Sequence, residues 1–153
     1  MKKLMIVALA VLFGLCIVGN AFADEAASKA ECIAKCEAVK AAILKDGLDG
    51  VVAKVNAKDA AYVSDVTYVF VQKMDGTMLG HPMNESLRGK NLITIKDKVG
   101  KEFCKEFASL AKEKGSGWVD YMWTKPGEEK PSQKISYVLK VNDDVFVGAG
   151  FYK

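Results

Sequence analysis

Histidine occurs once in these 153 residues and proline three times. One imidazole, with no acidic pair at ligand spacing beside it, falls short of any usual metal ligand set, so neither a metal nor another cofactor is expected. Nucleophile-elbow and Ser/His/Asp arrangements are missing as well, which reads against an enzyme. No CxxC or CxxCH occurs among the four cysteines, so thioredoxin-like redox chemistry and haem attachment lack their motifs. Charge of one sign is scarce too. Two of the 22 lysines and arginines precede the first apolar run, and the rest balance the 19 acidic residues to within one. Basic and acidic residues are interspersed, which leaves no electrostatic footprint for nucleic acid.

Long apolar runs are limited to one. Leu4 to Val18 follows Lys2 and Lys3 and leads to Ala21-Phe22-Ala23. A basic start, an apolar stretch of about fifteen residues and small residues before the cut describe a secretory signal peptide, residues 1–23. Residues 24–153 then form one domain by length, periplasmic or secreted. An uncleaved N-terminal anchor helix is the rival, because the uncharged stretch approaches spanning length. Cys16 follows Leu15, where a lipid-modified cysteine follows a small residue, and the lipoprotein reading is rejected. Export permits disulfides. Cys32 and Cys36 stand four apart on one helix, too far for unstrained bridging to each other. Small core residues are their plain reading; a bridge from Cys36 to Cys104 is the alternative.

Ser28 and Glu31 make a capping-box signature, opening a helix with Cys32, Cys36, Val39 and Ile43 on one side and Gly47 as its stop. A shorter helical piece covers Leu48 to Ala57. Val66 to Lys73 is β-branched and aromatic, Asp75-Gly76 signals a turn, and Met78 to His81 forms a second short strand. An irregular loop runs from Pro82 to Ile95. Asp97 can cap a helix with Val99, Phe103, Phe107 and Leu110 as its apolar stripe. Three strands close the chain, at Gly117 to Trp123, Lys134 to Val141 and Val145 to Tyr152. This order predicts an α+β fold, a five-stranded antiparallel sheet with helices on one face. It resembles PAS-like sensor domains, with a pocket between the sheet and its long connections. The chain stops at Lys153, directly after the last strand, which reads as a stand-alone domain without an output module.

Several residues are candidates for chemistry. In a strand, Val119, Tyr121 and Trp123 share one face and Trp118, Asp120 and Met122 the other. Tyr and Trp need hydrogen-bond partners when buried, and a small anion supplies them. His81, held extended by Pro82, is either a pocket donor or a satisfied structural residue. Arg88 and Lys90 read most simply as solvated surface charges. Lys134 is unusual in lying inside a strand, with Ser136 on its face and Tyr137 on the opposite one. Bringing Lys134 and Tyr137 into one pocket would need a bulge.

The stretches "YVFVQKMDGTMLGHP", "LRGKNL", "GWVDYMWTKPGEEKPSQKISYV" and "VFVGAGFY" together resemble the single Cache domain, type 2, an extracytoplasmic small-ligand sensor module. The resemblance covers nearly all of residues 24–153. It implies a long N-terminal helix, with a second helix, packed on a PAS-like sheet. It also implies recognition of a small organic acid such as acetate, propionate, pyruvate or lactate. His81, Tyr121, Trp123, Lys134 and Tyr137 would be its pocket positions, joined by Phe70, Arg88 and Trp118. Lys134 would supply charge, His81 and a tyrosine directed donors, and Trp123 an apolar lid. With an ordinary histidine pKa of about 6.5, cationic His81 would favour anions below neutrality. A membrane chemoreceptor or sensor kinase is the implied partner, with the domain monomeric or weakly dimeric. The competing reading is an interaction or dimerisation module whose pocket is non-functional.

Overall fold

The computed structural model describes residues 18–153, with side chains from Asp24 onward. Residues 1–17, which hold most of the expected signal peptide, lie outside the described part. Helix α1 spans Val18–Asp46 and α2 Leu48–Asn56. Gly47 separates them at φ 90, a left-handed conformation that favours glycine. Cys32, Cys36, Val39 and Ile43 are all buried on one side of α1, as their spacing predicts.

The helix does not begin at Ser28. The chain before it is rich in Ala, the best helix former, so α1 runs straight through the expected cap. Glu31 instead accepts a hydrogen bond from Ser64 Oγ at 2.6 Å, tying α1 to the chain before the first strand. Asp97 is likewise not a helix cap. Its Oδ1 accepts from the N–H groups of Val99 and Lys101, and its Oδ2 from that of Met122. The third helix, α3, starts only at Phe103 and ends at Lys114, leaving Val99 76% exposed.

The strands are β1 Tyr68–Lys73, β2 Met78–Gly80, β3 Ser116–Thr124, β4 Pro131–Lys140 and β5 Val145–Tyr152. They form one five-stranded sheet in the order β2-β1-β5-β4-β3, every neighbouring pair antiparallel. The last strand is therefore the central one.

Alternation along the strands divides the core into two clusters. Val69, Val71, Ile135, Leu139, Val147, Ala149 and Phe151 meet α1 and α2. Phe70, Val119, Tyr121, Val138 and Phe146 face the other way, toward α3 and the long connection after β2. The helices thus cover both faces rather than one. A central strand that is buried along its whole length, as β5 is from Val145 to Phe151, needs cover on both sides.

The sheet also decides the cysteines. Cys36 belongs to the α1 cluster and Cys104 to the α3 cluster, so the sheet stands between them. Cys32, Cys36 and Cys104 are free and buried, and the Cys36–Cys104 bridge is excluded by topology.

Candidate functional site

On the α3 face, β1 contributes Tyr68 and Phe70, β3 Tyr121 and Trp123, and β4 Lys134 and Ser136. The central strand places Gly148 and Gly150 beneath them, opposite Phe70 and Tyr68 in register and opposite Val138 and Ser136. A methyl group on Gly150 would come within 2.9 Å of Lys134 Cε and closer still to Ser136 Oγ and Ile135 O. The two glycines therefore lower the floor of the sheet where side chains from neighbouring strands lean across it.

Above this floor lies a small cavity of about 20 Å³, walled by Phe70, Met78, Leu87, Leu92, Phe103, Phe107, Tyr121 and Trp123, with His81, Cys104 and Lys134 as its polar members. That volume is room for about one water molecule. Phe103 stacks on Tyr121 at 4.4 Å and 11°, and meets Trp123 edge-on at 5.3 Å. A wider depression of about 210 Å³, bordered by the Lys125–Gly127 turn, adjoins the cavity, sharing His81 and Trp123 with it.

Lys134 is the unusual member. It is 1% exposed, yet no ion pair among the described residues includes it. Its Nζ lies 3.7 Å from the centre of the Tyr68 ring and 5.1 Å from that of Tyr152, so aromatic faces supply partial negative charge beside it. Burial brings its pKa down to about 7. The cation is costly here because the aromatic faces replace only part of the hydration it lost.

His81, 3% exposed, occupies the other side. Its Nδ1 accepts a hydrogen bond from the Asn84 N–H at 3.0 Å, so the neutral ring carries its hydrogen on Nε2. Burial, then the charges of Lys134 and Arg88, lower its pKa to about 3. The cationic histidine expected from an ordinary pKa is thus not available near neutrality, and the acid-favoured binding assigned to it has to come from another group. Tyr121 Oη lies 3.1 Å from Ser136 Oγ.

Of the eight candidate residues, the structure brings His81, Phe70, Tyr121, Trp123 and Lys134 together. Tyr137 and Trp118 are on the opposite face, where their rings meet at 5.1 Å beside α1. No bulge interrupts the β3–β4 or β4–β5 pairing around them, so ordinary alternation removes both from the cavity. Arg88 does not line the cavity either; its guanidinium is spent on the carbonyls of His81 and Asn56 at 3.1 Å each. Tyr68, Tyr152, Phe103 and Phe107 were not among the candidates. Tyr68 could have been found, since it stands two residues before Phe70 on the same strand face; the aromatics of α3 read only as an apolar stripe.

Similarity to known proteins agrees with this layout. A Cache domain model matches residues 50–153, well over half of the chain. The methyl-accepting chemotaxis protein McpP of Pseudomonas putida and the sensor histidine kinase MctS of Rhizobium johnstonii are each 31% identical over 86 residues, 56% of this chain. The chain spans less than a fifth of either protein, the matched parts being 16% and 18% of their lengths. A periplasmic sensor domain of a chemotaxis protein superposes with a TM-score of 0.66 at 30% identity, covering 89% of this chain and 97% of its own. A Cache chemosensory domain described for carboxylic acid recognition has the same fold, with a TM-score of 0.65 at 24% identity over 88% of this chain and 95% of its own. No helix among the described residues is long and apolar enough to cross a membrane. The chain belongs to the Cache domain family, the extracytoplasmic sensor modules of chemoreceptors and sensor kinases.

Proposed function

We propose that this domain binds a small monocarboxylate of two or three carbons, of the acetate, propionate, pyruvate or lactate type, and presents the bound state to a membrane chemoreceptor or sensor kinase. Residues 1–23 would direct its export and be removed. The observation that carries the ligand class is Lys134, a buried ammonium facing an aromatic cavity without a carboxylate beside it. An anionic ligand supplies the missing partner, and a dry site makes each charge-assisted hydrogen bond worth about 1.5–3 kcal/mol. Nε2–H of His81 is a directed donor for the second oxygen, and Phe70, Phe103, Phe107 and Trp123 enclose the alkyl end. The cavity has room for about one water, so a ligand of several heavy atoms moves the half-buried Leu87 and Trp123 outward.

The test is titration calorimetry of the purified protein with acetate and propionate against their neutral isostere acetamide. Dissociation constants of about 1–100 μM are expected for the fitting acid, with no measurable binding of the amide. Equal binding of acid and amide, or of neither, would overturn the reading.

The same geometry predicts a pH dependence. The groups facing Lys134 are His81, Tyr68, Tyr121, Tyr152, Cys104 and, from α1, Cys32. Burial raises all three tyrosines and Cys32, and takes Cys104 to about 12. His81 stays neutral down to about 3. Among these groups, Lys134 alone changes charge between pH 5.5 and 8, and its cationic form, dominant below about 7, is the one that binds an anion. Acetate affinity should be about tenfold weaker at pH 8 than at pH 6. A flat profile across that range would mean that Lys134 is not the counter-charge.

A further inference from the structure

The position and tautomer of His81 are set by groups that do not touch the cavity. Its backbone N–H donates to Asn56 Oδ1 at 3.0 Å, and Asn56 Nδ2 donates to Leu79 O at 3.4 Å. From the other side Arg88 Nε donates to His81 O, and a second guanidinium nitrogen donates to Asn56 O, both at 3.1 Å. Asn56 is the last residue of α2. Its carbonyl is one of the groups a helix end leaves without an internal partner, and a cation there also suits the helix dipole. Asn84 completes the turn. Its N–H occupies His81 Nδ1, while its Oδ1 accepts from Ser86 N–H and Oγ–H. Pro82 fixes the backbone of His81 as extended but cannot place the segment against α2; alongside the packing of Val55 on Gly80, the fork of Arg88 and the amide of Asn56 do that.

We infer that Arg88, together with Asn56, is a positioning residue for ligand recognition: it clamps the His81–Asn84 turn to the end of α2, so that the imidazole offers a fixed Nε2–H donor to the cavity. This rests on the reading of the Lys134 cavity as a carboxylate site. The clamp also sets specificity. With Nδ1 already accepting, the ring can only donate to a ligand, which suits a carboxylate oxygen and refuses an ammonium or amide N–H at that point. Arg88 is thereby removed from the role of ligand counter-charge. Lysine cannot replace it, because a single ammonium does not reproduce a planar fork directed at two carbonyls.

The lone histidine makes the test direct. In the tag-free, nitrogen-15-labelled protein, long-range proton–nitrogen spectra report one imidazole, and its pattern should be that of the Nε2–H tautomer. Arg88→Met should mix the two tautomers and weaken acetate binding about tenfold, the equivalent of one hydrogen bond. Arg88→Lys should fail to restore either, and Asn56→Ser should act in the same direction by removing the acceptor for the His81 N–H. Lys134→Met should lose acetate while leaving the tautomer pattern unchanged, which separates the clamp from the ligand site. The inference is overturned if Arg88→Met keeps a pure Nε2–H pattern and binds acetate within twofold of the parent. If Arg88→Met does not fold, Asn56→Ser decides by the same two readings. If the parent protein itself ignores acetate, the carboxylate reading fails and the tautomer spectra alone decide the clamp.

Discussion

Lys134→Met should abolish acetate binding, by at least a hundredfold, and should raise the melting temperature of the ligand-free protein at pH 6. The two effects share one cause. Methionine fills the same slot between the Tyr68 and Tyr152 rings with a side chain of similar length, so packing is kept. What disappears is the ammonium. Its pKa falls from 10.5 to about 7 on folding, and each unit corresponds to about 1.4 kcal/mol between the two protonation states. Between those values the unfolded chain binds more protons than the folded one, so stability of the parent rises with pH through that window. Below it the full cost of burying the cation is present, offset in part by the Tyr68 face. The gain from Lys134→Met should therefore be largest at pH 6 and shrink toward pH 10. Thermal melts of both proteins across that range check it. A variant that melts lower than the parent at pH 6, or still binds acetate, would contradict the role given to this side chain. A protein that tolerates so costly a group for its function is a familiar physical pattern.

Gly148→Ala is expected to be among the most damaging small substitutions in the sheet. An added methyl would run into Phe70 Cζ, with two further ring carbons at 2.7 Å. Phe70 cannot simply step aside, because its other face stacks on Phe107 at 5.5 Å and 29°. Overpacking of this kind costs about 1–3 kcal/mol, and more where the neighbours cannot yield. Displacing Phe70 also closes the cavity, so ligand binding should go with stability. Because the obstruction is one side chain, Phe70→Leu in the same chain should recover part of the loss. Urea unfolding of both single variants and the pair gives the coupling. Strictly additive effects would show that the methyl meets something other than Phe70. Gly150→Ala should resist such rescue, since its obstruction includes the backbone oxygen of Ile135 at 2.6 Å.

Much of this site was legible from alternation alone. Tyr121 and Trp123 on one face, and Lys134 with Ser136 apart from Tyr137, follow from the two-residue period of a strand, and the structure keeps that period without interruption. Trp118 and Tyr137 entered the candidate list through family resemblance, against the parity that already separated them from Tyr121, Trp123 and Lys134. Other features had no local signal. Nothing in "NESLRGK" shows that Arg88 turns back to two carbonyls, because its partners are 7 and 32 residues away in sequence. The neutral state of His81 depends on burial and on the Asn84 N–H, both products of the folded loop. The run through Ser28 misled for a different reason: a capping box starts a helix only where the preceding residues are poor at extending one, and here they are not.

The central strand has a further mechanical meaning. One side of β5 is stripped to hydrogen at positions 148 and 150, and the other is packed tightly, through Ala149 and Phe151, against the long first helix. A guest that swells a space sized for a single water would press on Phe70 and Lys134, which line it and lie directly over these two glycines. The thrust would pass through them to the β5 backbone, and the body behind that strand is α1.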